Sequence, residues 1–104
     1  MPLSPLKIKT NVVKRIYKEH IGYGKEAETQ QKRIDKLIAS GADEYDVRKQ
    51  KEVLDETLMM IPDVKKRLAS AYQELQNQLE NGENDDIDEV QEAQIVISEI
   101  AVLN

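Results

Sequence analysis

The sequence has no cysteine, no phenylalanine and no tryptophan. Without cysteine there are no disulfides, no thiolate metal sites and no cysteine nucleophile. Such a chain fits a reducing compartment. Aromatic residues make up only 4% of the chain, against 34% charged residues. A compact α/β or all-β domain of this size would lack its usual packing bulk. Packed helices need far less, because each contributes only a narrow apolar stripe. Long hydrophobic runs are missing too. No stretch of roughly 18 apolar residues occurs, and residues 1–6 hold no apolar core of signal-peptide length. The expectation is a soluble intracellular protein with no membrane span, forming one domain over residues 1–104.

The net charge of −5 conceals a gradient along the chain. Residues 1–40 carry a net +5, residues 41–82 a net −3, and residues 83–104 a net −7 with no Lys or Arg at all. A basic first segment can pack beside an acidic last one, and it can also attract an acidic partner.

Two glycine-containing breaks divide the chain, one at Ser40-Gly41-Ala42-Asp43 and one at Asn81-Gly82-Glu83-Asn84. A glycine just past a periodic run signals a helix C-terminus, where the closing residue often needs positive φ. Asp43 followed by Asp46, and Asp86 followed by Glu89, then read as capping boxes for the next helices. The predicted helices span about residues 5–40, 44–80 and 86–103. Short connections make successive helices antiparallel neighbours.

The first helix opens at Ser4-Pro5, a cap followed by proline at the first helical position, with Thr10-Asn11 as a later alternative. Its stripe runs Leu6, Val13, Ile16, His20, Tyr23, Ala27, Ile34 and Leu37, interrupted by the polar residues Lys9 and Gln30. The stripe keeps phase across Gly22 and Gly24, so the helix reads as weakened but continuous. In the second helix Val47, Leu54, Ile61, Leu68 and Leu75 recur every seven residues. Pro62 sits in the middle without shifting that register, which predicts a kink inside one helix and not a boundary. In the third, Val90, Ala93, Ile97 and Ile100 form a stripe widened by Ile87, Val96 and Leu103. The fold class is all-α: an elongated antiparallel three-helix bundle with a proline-kinked long central helix.

Catalytic chemistry finds little support. His20, the one histidine, has no nucleophile motif near it. The acidic run from Glu83 to Glu89 lacks the central glycine and ligand spacing of a calcium loop. Gly22-Tyr23-Gly24 lacks the third glycine and the preceding strand of a phosphate loop. The basic residues of the first helix could meet phosphates, but the acidic remainder of the chain opposes nucleic-acid binding. These readings leave an interaction protein, with no enzyme activity and no cofactor. A generic coiled-coil adaptor or self-assembling scaffold fits the heptad seam as well.

Three segments resemble the tubulin-binding cofactor A family of tubulin-folding chaperones. They are Ile8-Lys-Thr-Asn-Val-Val-Lys-Arg-Ile-Tyr-Lys-Glu19; Gly41-Ala-Asp-Glu-Tyr-Asp-Val-Arg-Lys-Gln-Lys-Glu-Val-Leu-Asp-Glu56; and Met59-Met-Ile-Pro-Asp63 followed by Arg67-Leu68 and Ala71-Tyr72. The Met-Met-Ile-Pro piece is the most specific. The resemblance implies a three-helix protein that binds β-tubulin after its release from the cytosolic chaperonin. Such a protein holds β-tubulin for assembly into the heterodimer, in the cytoplasm and in association with the cytoskeleton. It also implies other tubulin-folding cofactors as partners and a monomer or weak homodimer. Matching the motifs carries candidate β-tubulin contacts onto Lys14, Arg15, Lys18 and Glu19 in the first helix. In the second it carries them onto Tyr45, Asp46, Lys49, Gln50, Glu52 and Glu56. The Gly22/Gly24 pair falls where relatives usually carry better helix formers.

Overall fold

A computed structural model describes residues 3–82 and 86–101. Three helices follow in order, α1 (Pro5–Ala39), α2 (Glu44–Asn81) and α3 (Ile87–Ala101), and no strand occurs among the described residues. The chain is all-α, as its patterning predicts. The earlier of the two possible starts for α1 is the one used. The Lys7 amide donates to Ser4 Oγ at 3.1 Å, so Ser4 is the N-cap and Pro5 the first helical residue.

The turn from α1 to α2 closes by a Schellman motif. Gly41 has φ 73°, its amide donates to Ile38 O at 3.1 Å, and the Ala42 amide donates to Leu37 O at 3.0 Å. Asp43 then caps α2 by accepting the Tyr45 amide at 3.2 Å. Asp86 caps α3, accepting from the Asp88 amide at 2.8 Å. The expected capping box at Glu89 is diverted: its carboxylate accepts the Ser4 hydroxyl across the bundle at 2.6 Å. α2 runs unbroken through Pro62. The proline leaves the Leu58 carbonyl without its helical donor. Both residues lie on the exposed side of α2, where water can take that oxygen.

The fold divides into two compact units. One is the hairpin unit, Glu19–Lys65, made of the second part of α1 and the first part of α2. The other is the three-helix unit, Met1–Lys18 with Lys66–Asn104, which holds all of α3. Within the three-helix unit, Ser4 meets Glu89 and Lys7 meets Glu92, so α3 runs parallel to α1. α2 lies antiparallel between the two in sequence, and Lys9 Nζ reaches Gln78 Oε1 at 3.4 Å.

Burial differs sharply between the units. Leu6, Val13, Ile16, Leu68, Ala71, Leu75, Ala93, Val96 and Ile100 are all buried in the three-helix unit. The buried Thr10 joins them by turning its hydroxyl onto Leu6 O at 2.8 Å. The hairpin unit buries only Gln30, Ile34 and Val64. Two helices cannot enclose a seam on all sides. Val47 and Leu54, on the seven-residue seam, are therefore only half-buried, and Leu58 stays 46% exposed. Gln30, which interrupts the stripe in sequence, is satisfied in the structure. Its Nε2 donates to Gln50 O at 3.0 Å and to Gln50 Oε1 at 2.7 Å, cross-linking α1 and α2. On α3 the buried face is Ala93, Val96 and Ile100, while Ile87 is 74% exposed. Leu103, assigned to the same stripe, lies outside the described residues.

Candidate interaction surface

The basic first segment and the acidic last one do meet inside the three-helix unit. Glu92 on α3 accepts from Lys7 Nζ at 2.5 Å through one carboxylate oxygen, and from Lys14 Nζ through the other. The Lys14 hydrogen bond, then that of Lys7, holds the Glu92 carboxyl below its ordinary value of 4.5. The folded state therefore favours the ionised form. That stabilisation is complete above the ordinary value and is lost as pH falls through the depressed one. Glu92→Gln is expected to lower stability by about 1 kcal/mol at pH 7, the ion pairs being partly exposed. In urea unfolding followed as a function of pH, the variant and the parent should converge as Glu92 protonates.

This arrangement redefines one expected contact. Lys14 ties α1 to α3 and is not simply a surface cation awaiting a partner. Arg15 and Lys18 are exposed, and Glu19 is half-buried and engaged within the chain. On α2, Tyr45 is 57% exposed and the Lys49 ammonium stands 5.5 Å over its ring. Lys49 also pairs loosely with Glu52 at 3.9 Å. Asp46 and Glu56 are exposed, and Gln50 turns inward to Gln30. Tyr45, Lys49 and Glu52 thus form a connected outer strip of the hairpin unit, while Gln50 belongs to the α1/α2 seam. Gln50 enters the candidate set through the family resemblance, and its pairing with Gln30, twenty residues away, leaves no local signal in the sequence.

The hairpin unit also leaves individual apolar side chains exposed, which the pattern of charged residues does not announce. Ile38, Val53, Leu58, Met59 and Met60 are exposed by 41–75%. Seven-residue periodicity shows which side of α2 is apolar, but not that α3 lies wholly within the other unit. His20 Nδ1 is enclosed without a hydrogen-bond partner among the described residues. No group of acidic or histidine side chains among them could hold a metal ion, and no helix among them is long and apolar enough to cross a membrane.

Comparison with known proteins fits a protein built of helical surface. Residues 1–97 match the family described as Tubulin binding cofactor A. The chain belongs to that family. It is 45% identical over 96 residues to human Tubulin-specific chaperone A, covering 91% of this chain and 89% of the human protein. Among solved structures, tubulin folding cofactor A from Arabidopsis thaliana superposes with a TM-score of 0.84 at 39% identity, covering 93% of this chain and 92% of that one. RBL2P, described as a beta-tubulin binding post-chaperonin cofactor, superposes at 0.78 with 28% identity, over 93% and 97% of the two chains. Members of the cofactor A family are named as chaperones and folding cofactors. The match extends over the cap, the heptads and the Pro62 segment alike.

Proposed function

We propose that this protein binds β-tubulin after chaperonin release and holds it for later assembly into the heterodimer, acting in the cytoplasm alongside the cytoskeleton. The observation that carries this reading is the match over nearly the whole chain to a cofactor described as beta-tubulin binding and post-chaperonin. The hairpin unit supports it physically. Exposed apolar side chains scattered among charged ones suit reversible capture of a large partner. Arg15 and Lys18 on α1, with Tyr45, Asp46, Lys49, Glu52 and Glu56 on α2, are the outward-facing candidates for that contact. Lys14, Glu19 and Gln50 are candidates for the same contact that also engage other side chains of the chain.

Purified protein is expected to co-elute in size exclusion with β-tubulin discharged from chaperonin. It should leave α-tubulin, and the intact heterodimer, largely unbound. Equal capture of α- and β-tubulin, or capture of neither, would overturn the proposal.

A further inference from the structure

Two edges of α1 in the three-helix unit have opposite electrostatic fates. On one edge Lys7 and Lys14 are neutralised by Glu92. On the other, Arg15 borders an open cleft of about 390 Å³ between α1 and α2, facing Lys66 and Arg67. Ile16 and Ala71, only 6% and 7% exposed, lie in the same cleft and give it an apolar floor. Arg67 is engaged within the chain. Arg15 and Lys66 are exposed and form no ion pair with any described residue. Glu74 supplies the opposing charge in the cleft.

We propose that this cleft docks a glutamate-rich segment of the protein's client, Arg15 and Lys66 taking its carboxylates. The identity of that client rests on the β-tubulin reading above. The chemistry of the cleft selects the ligand. A guanidinium on α1 and an ammonium on α2 match discrete carboxylates, the guanidinium in a bidentate mode. The methylenes of a glutamate side chain can lie on Ile16 and Ala71. A nucleic acid fits poorly: no aromatic side chain lines the cleft to stack a base, and Glu74 opposes a continuous run of phosphates. Attraction between exposed groups also makes the contact dependent on salt, as befits a partner that is later handed on.

The test uses isotope-labelled full-length protein, a fluorescent ten-residue oligoglutamate peptide and a single-stranded DNA of equal charge. Peptide addition is expected to shift the resonances of Arg15, Lys66 and their neighbours. Arg15→Glu with Lys66→Glu should weaken peptide binding at least tenfold. Lys25→Glu with Lys32→Glu, which changes net charge equally, should weaken it less than threefold. Circular dichroism verifies that both variants remain helical. Equal weakening by the two pairs, shifts located elsewhere, or DNA binding the same residues as tightly would each overturn the proposal. Capture of β-tubulin separates this inference from the functional reading. If the parent captures β-tubulin and the Arg15/Lys66 variant does so equally well, the cleft is not the client site and the functional reading stands. If the parent captures none, the functional reading falls and the peptide titration alone decides whether the cleft binds acidic segments.

Discussion

Replacing Leu75 with alanine is expected to lower the unfolding free energy by about 3 kcal/mol. Leu75 is fully enclosed in the three-helix unit, on the heptad position that also carries Leu68. Truncation removes transfer free energy and leaves a cavity that a three-sided packing cannot readily collapse. Leu54 offers the internal control. It occupies the same heptad position in the hairpin unit but is only half-buried, so Leu54→Ala should cost about 1 kcal/mol. Urea unfolding at constant slope measures both. Equal losses would mean that the seam is buried to the same depth in both units, and the division into a closed core and an open hairpin would fail.

The second large effect has the opposite sign. Gly22 and Gly24 lie in the interior of α1, and a methyl group added at either would meet nothing within 4 Å. Neither has the positive φ that would require glycine. Alanine restricts the unfolded chain and costs nothing in the helix, so each Gly→Ala change should stabilise by about 1 kcal/mol. Together they should raise the melting temperature by on the order of 10 °C. A fall in melting temperature for the double variant would show that these glycines are needed for packing. Gly41 behaves differently: its φ of 73° makes Gly41→Ala destabilising despite equally open space.

Much of the fold can be read from local chemistry. Ser4-Pro5, Gly41 and Asp43 mark helix ends because caps are built from residues close in sequence. The seven-residue spacing of Val47 through Leu75 marks one side of α2, and its unshifted register carries the helix through Pro62. The depth of burial along that side is another matter. Val47 and Leu75 look alike in the pattern, yet only the second is enclosed, because α3 belongs to the three-helix unit alone. α3 itself is apolar around much of its circumference. Its pattern therefore does not single out Val96 as buried and Ile87 as exposed. The ties that draw candidate contacts into the chain's own packing join residues far apart in sequence. Lys14 with Glu92 and Gln30 with Gln50 are pairings that no local motif records. The basic edge is visible as a charge excess, but which of its members are already neutralised is not.

α1 passes without interruption from a unit with a closed core into one that buries Gln30, Ile34 and Val64 and little else. Its backbone hydrogen bonds are alike in kind at both ends. Their persistence is governed by the side chains packed around them. One continuous helix thus carries two lifetimes. Hydrogen exchange is expected to be slow in its first turns, which the three-helix unit holds, and faster in its last turns, which lie in the hairpin.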